Sequence, residues 1–275
     1  MTSRLHYWIG LALLGLAVST PPALAAGEDD LVQAMMEVYA EELAANPQDY
    51  RTYYSRSMAY FGQGNMELAL SDINNAIKYF PRKEKDDLAQ AYLLRAKILT
   101  EAGENKAALT DLNSALRLVP NHRLALKDRG DLLCRLEQYD MAKMDYNRLL
   151  RIDTRSQAAY MGLARVEAHI GQPVRAKDLL AQAVNLSPKD PNIYLERSEI
   201  YKEMGLTDEA VDDLIYAVSL DDGRSGAIQK IVEYSNDSYS RVIAGLNRNI
   251  ERAPRQGILY YVRASIYKDH YDYLA

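Results

Sequence analysis

The sequence predicts an all-α protein made of stacked antiparallel helix pairs. Three observations carry that reading. First, alanines recur at one phase, at Ala69, Ala108, Ala142, Ala176 and Ala210, spaced by 39, 34, 34 and 34 residues. A second series, Ala76, Ala115, Leu149, Ala183 and Ala217, keeps the same spacings. A fixed period near 34 marks a repeated two-helix unit that buries its apolar face on its neighbours. Second, within Tyr50 to Lys83 two amphipathic helical patterns meet at Gly62-Gln63-Gly64, and Pro81 closes the second. Third, 48% hydrophobic and 26% charged residues suit a folded chain and not a disordered one.

The chain opens on a targeting pattern. Arg4 precedes an apolar run from Trp8 to Val18, then Pro21-Pro22 and Ala23-Leu24-Ala25. A basic start, a short apolar run and an A-x-A site read as a secretory signal peptide over 1–26, cleaved near Ala25 or Ala26. The run has 11 residues, and a membrane-spanning helix needs about 20. The only cysteine, Cys134, lies far from that site, so a lipidated leader is excluded, and so is an internal disulfide. Export to the periplasm or cell surface of a bacterium follows as an expectation.

Residues 27–49 hold one helical pattern, with Leu31, Met35, Tyr39 and Leu43 on a face. It is expected to cap the array that follows over 50–275. Repeats are read at 50–83, 89–122, 123–156, 157–190 and 191–224, a degenerate one at 225–256, and a partial one at 257–275. Glu84 to Leu88 is an insertion, either a solvated turn or an extension of the next helix. In the sixth repeat, Ser225 to Ser235 and Ser238 to Arg252 read as two helices. Tyr260, Ala264 and Tyr267 then restore the first-helix pattern. The chain reaches Ala275 before a partner helix, so a natural continuation is expected.

In each repeat an aromatic, a small residue and a large residue precede a small–large–small series. The first repeat shows Tyr53, Ser57, Tyr60, Ala69, Ile73, Ala76 and Pro81. The fifth shows Tyr194, Ser198, Tyr201, Ala210, Leu214 and Ala217. This pattern resembles the tetratricopeptide repeat family, with five copies in phase. The resemblance implies a right-handed superhelical solenoid whose first helices, called A, line a concave groove, with the second helices, B, outside.

Charge recurs with the repeat. Arg56, Arg95, Arg129, Arg197 and Arg263 share one phase of helix A, and Asp72, Asp111, Asp145 and Asp213 share one phase of helix B. In an antiparallel pair, facing positions have nearly constant index sums, which places Arg56 across the seam from Asp72. A row of intra-repeat ion pairs is therefore expected rather than a row of ligand contacts. The fourth repeat has Leu163 and Leu179 there, losing both charges together.

Catalytic and metal chemistry find little support. His6, His122, His169 and His270 have no helical ligand spacing, and Cys134 has no neighbouring histidine. No phosphate-binding or nucleophile-elbow motif occurs. The chain has 33 Lys and Arg against 38 Asp and Glu. Loss of the leader, with Arg4 and no acid, takes the net charge from −5 to −6. That balance lacks the clustered positive charge that nucleic acid requires. No cofactor, metal or nucleic acid is expected, no enzymatic activity, and only indirect contact with membrane.

The resemblance instead points to protein or peptide binding on the concave helix-A faces. The candidate contacts are Tyr54, Met58 and Phe61, then Leu93, Lys97 and Glu101, then Lys127, Asp131 and Arg135, then Met161, Arg165 and His169, and finally Leu195, Glu199 and Lys202. Tyr54 and Phe61 are the expected aromatic anchors, replaceable without loss of fold. Asp131 stands where chaperone-binding members of the family carry a clamp asparagine, which argues against that specific ligand. The expected function is a scaffold holding a peptide or partner helix. The alternative is a docking module of a larger envelope enzyme or a transport or assembly component.

Overall fold

The computed structural model describes residues 28–221 and 226–272. The expected signal peptide and the last three residues lie outside the described residues. The described residues form thirteen helices and no strand. They fall into two compact bodies, divided between Arg129 and Gly130. No described helix is long and apolar enough to cross a membrane.

The N-terminal body holds α1 (Glu28–Ala45), α2 (Tyr50–Gly62), α3 (Met66–Tyr79), α4 (Lys85–Glu101), α5 (Asn105–Leu118) and the start of α6 (Arg123–Arg135). The C-terminal body holds the rest of α6, then α7 (Tyr139–Ile152), α8 (Gln157–His169), α9 (Pro173–Leu186), α10 (Pro191–Glu203), α11 (Thr207–Asp221), α12 (Ala227–Arg252) and α13 (Gly257–Asp272). Within each body consecutive helices pack as hairpins, α2 on α3 and α4 on α5, then α8 on α9 and α10 on α11.

Each helix A ends in the same turn. Asn65 N–H donates to the Tyr60 carbonyl, Glu104 to Leu99, Gln138 to Leu133, Gln172 to Glu167 and Leu206 to Tyr201, all at 2.8–2.9 Å. These six-to-one bonds need a left-handed residue just before the donor. Gly64, Gly103, Gly171 and Gly205 supply it at φ 73–79°. In the third repeat the position is Glu137, at φ 59°. Polar caps start several helices: the side chains of Asp49, Asn65, Ser156 and Asp190 each accept from a backbone N–H of the following turn.

The seam between A and B is built on size matching. Ala69, Ile73 and Ala76 are fully buried, and the Ser57 hydroxyl donates to the Ala69 carbonyl at 2.7 Å. The Ile73 phase holds Leu112, Leu180 and Leu214 in other repeats, and Tyr146 in the third. That larger ring fits because Gly130 and Gly162 face it; a Cβ on either would collide with it.

The arginine–aspartate pairs form as the index sums predict. Arg56, Arg95 and Arg197 grip Asp72, Asp111 and Asp213 through two N–H···O bonds each, at 2.6–2.9 Å. The periodicity did not reveal three further contacts. Arg95 and Arg129 also donate to Asn74 and Asn113 on the preceding helix B, at 2.8 and 2.7 Å. Arg263 does the same to Asn247 at 2.7 Å. The guanidinium thus ties repeats together as well as closing its own hairpin. It also lies against tyrosine rings: Arg56 between Tyr53 and Tyr60, Arg197 between Tyr194 and Tyr201, all within 6 Å. That stacking accounts for part of the tyrosine-rich composition.

The fourth repeat replaces its ion pair with another. Glu167 of α8 is buried and bonded to Lys143 of α7 at 2.5 Å, with Arg175 of α9 3.6 Å away. Residues 85–88 take the second of the two expected forms, a first turn added to α4. Leu88 packs into the N-terminal core, and Glu84 accepts from the Tyr50 hydroxyl at 2.7 Å. The two helices expected in the sixth repeat are both present: α12 is two helical segments that meet at a kink at Ser238 (φ −138°, ψ 36°).

Candidate functional site

Three positions four residues apart on helix A decide where a ligand could sit. The first holds Tyr54, Leu93, Lys127, Met161 and Leu195. The second holds Met58, Lys97, Asp131, Arg165 and Glu199. The third, at the end of the helix, holds Arg135, His169 and Glu203 in three successive repeats.

The first position packs inward. Leu93 is 3% exposed, Met161 4% and Leu195 8%, and the last two belong to the C-terminal core. These three, expected in the groove, are instead packing residues, because apolar side chains there are covered by neighbouring helices. Tyr54, Met58 and Phe61 are half-buried and lean on the core around Ile73. Burial, with the Asp87 carboxylate second, pushes the Tyr54 phenol up. Lys97 and Lys127 lie 4.0 and 3.6 Å from Asp128.

Side chains of α6, α8 and α10 line an open cleft of about 390 Å³ in the C-terminal body. Asp131, Cys134, Arg135, Arg165, His169 and Glu203 line it. It therefore unites four expected inner-face residues, Asp131, Arg135, Arg165 and His169, with two that were not expected, Cys134 and Glu203. Glu203 could have been found from the 34-residue spacing that links it to Arg135 and His169.

The charges of the cleft are partly committed. Asp131 accepts the Tyr146 hydroxyl at 2.5 Å. Burial, reinforced by Asp131, holds that phenol far above its usual range. Glu203 Oε2 lies 3.5 Å from Arg165 Nε and 3.6 Å from His169 Nε2. The His169 ring stacks on Tyr139 with centroids 5.4 Å apart. Arg135 is exposed. Cys134 is buried; its burial pushes the thiol pKa up, Arg165 opposes that, and Glu203 and Asp131 add to it. A protonated thiol is a poor nucleophile. No group of three His, Cys, Asp or Glu among the described residues is placed to hold a metal. The arrangement offers charges and hydrogen-bond donors to a bound chain.

Comparison with known proteins gives a consistent picture. A tetratricopeptide repeat family profile matches residues 54–123 and 127–191. The chain is 26% identical over 188 residues to the "DnaJ homolog subfamily C member 7 homolog" of Schizosaccharomyces pombe, covering 61% of this chain and 38% of that protein. It is 24% identical over 172 residues to human "Tetratricopeptide repeat protein 6", covering 62% and 32%. The chain thus spans about a third of the length of these curated relatives. Among solved structures, a tetratricopeptide repeat protein from Parabacteroides merdae superposes with a TM-score of 0.66 at 20% identity, covering 96% of this chain and 98% of that one. That likeness establishes the fold: an all-α solenoid of helix pairs.

Proposed function

The chain belongs to the tetratricopeptide repeat family, and from that premise we propose that it is a non-enzymatic protein-interaction scaffold, exported to the periplasm or cell surface of a bacterium. Its partner is an extended peptide or a helix lying along the inner faces of the A helices. The observation that carries the reading is the cleft of the C-terminal body, where three successive A helices bring Arg135, Arg165, His169 and Glu203 to one open surface. Repeat arrays bind through such continuous inner surfaces, where successive repeats present side chains along a line. Export rests on the basic start, apolar run and A-x-A site of residues 1–26.

The test has two arms. Mature protein should begin at Ala26 or Gly27 when sequenced from its N-terminus; Met1 or Thr2 on soluble cytoplasmic protein overturns export. Pull-down from envelope extract should recover the same partners with the parent and with a control at the exposed Lys106 of α5, Lys106→Ala, and lose them with Arg135→Ala/Arg165→Ala. Equal capture by the double variant overturns the cleft as binding surface.

A second reading, a docking module within a larger envelope enzyme or assembly component, is supported by the third of its relatives' length that this chain spans. A further domain encoded in frame after Ala275 would favour it.

A further inference from the structure

Resting on that groove reading, we propose that Glu203 is an internal stand-in for the ligand: the cleft takes a carboxylate from a partner peptide, which displaces Glu203 from Arg165 and His169.

The geometry of Glu203 differs from that of the three seam pairs described above. Arg56, Arg95 and Arg197 hold their aspartates at 2.6–2.9 Å with two bonds each. Glu203 sits 3.5 Å from Arg165 and 3.6 Å from His169, beyond the 2.7–3.2 Å of an N–H···O bond. Arg165 Nε is buried and has no hydrogen-bond partner. The charge of Arg165 is therefore countered while its donor stays unsatisfied, a state that a better-placed carboxylate improves.

Glu203 is free to leave. It is the last residue of α10, its side chain is 36% exposed, and water can receive it when displaced. The other acid of the cleft, Asp131, accepts the Tyr146 hydroxyl. Arg135 lines the same cleft and makes no ion pair among the described residues, so an incoming carboxylate meets two guanidinium groups and one imidazole against the single carboxylate of Asp131. The buried Cys134 thiol, kept protonated by burial, adds no charge. Glu203 then sets specificity: neutral peptides must leave it in place, and acidic ones exchange with it.

The test uses fluorescein-tagged nonapeptide pools with random flanks, amidated at the C-terminus, holding either a fixed central Glu or a fixed central Gln. A third pool has the central Gln and a free C-terminal carboxylate. Binding is read by anisotropy with the parent, Glu203→Gln and Arg165→Gln, each checked for unchanged melting. Expected is tighter binding of the Glu pool than the amidated Gln pool, a further gain of about five-fold for the Glu pool with Glu203→Gln, little change for the Gln pool, and loss of the difference with Arg165→Gln. A gain confined to the free-carboxylate pool assigns the seat to a chain terminus instead of a side chain and overturns the side-chain assignment. Equal binding of the Glu and amidated Gln pools overturns the acidic seat and leaves the groove standing. No binding of any pool overturns the acidic seat, and the groove then rests on envelope capture alone.

Discussion

The hydroxyl of Tyr146 donates to Asp131 at 2.5 Å, linking the centre of the third-repeat seam to the wall of the cleft. The ring reaches that far because Gly130 and Gly162 leave it room. Packing in the core and charge in the groove are thus set by one side chain.

Tyr146→Phe should therefore lower stability by about 1 kcal/mol, the net worth of one hydrogen bond. Gly162→Ala should cost about 1–3 kcal/mol, since its Cβ meets the ring. Adding Tyr146→Leu to Gly162→Ala should recover part of that, because Leu112 and Leu180 fill the same phase elsewhere. Urea unfolding of the three variants checks the set; an additive Gly162→Ala/Tyr146→Leu double variant would refute the size matching.

Alkaline pH should destabilise the fold through its tyrosines. Burial raises the phenols of Tyr54, Tyr146, Tyr194, Tyr201 and Tyr234. Unfolded tyrosine loses its proton near pH 10, while the native phenols keep theirs. The native state then binds more protons, so stability is intact below about pH 10 and falls as pH rises above it. Unfolding free energies between pH 8 and 11.5 should show that slope, and Tyr146→Phe should flatten it. An unchanged slope in that variant counts against the assignment.

Arg95→Leu should cost about 2–3 kcal/mol. Breaking one partner of a buried pair costs about 3–5 kcal/mol, and Arg95 is 24% exposed where Asp111 is 4%. Arg95→Leu/Asp111→Leu should recover much of it, as the leucines Leu163 and Leu179 already do in the fourth repeat. The recovery should remain incomplete, because the Asn74 contact is lost as well. A double-mutant cycle with no coupling would reject the pairing.

Glu137→Gly should stabilise the protein by roughly 1 kcal/mol. Left-handed backbone costs a non-glycine residue about 1–2 kcal/mol, offset in part by the entropy glycine loses on folding. Gly171→Ala should move the melting temperature the opposite way. A drop in melting temperature for Glu137→Gly would show that its side chain contributes more than its backbone costs.

Tyr54→Ala and Phe61→Ala should each lower stability by about 2 kcal/mol or more, since both rings are half-buried on the core around Ile73. This reverses the expectation that they can be replaced without loss of fold. Melting curves check it directly: unchanged curves would restore them as free anchors. Arg135 and Arg165 are accordingly the cleaner probes of binding.

The sequence by itself determined the repeat, its phase and the Arg–Asp seam pairs, because a 34-residue period fixes which side chains meet inside one hairpin. It also determined the helix-A turns, apart from Glu137, which follows no local preference. Contacts between one hairpin and the next were decided by the tertiary structure. Arg95 to Asn74 and Glu167 to Lys143 depend on how far neighbouring helices are offset, which spacing within a repeat does not encode. The same limit governed the groove. Leu93, Met161 and Leu195 share the helix-A face read as concave, yet neighbouring helices cover them. The exposed surface lies one and two turns further along, where Arg165, His169 and Glu203 come together. Only the packing of three A helices against one another settles which turn of a helix remains open to a ligand.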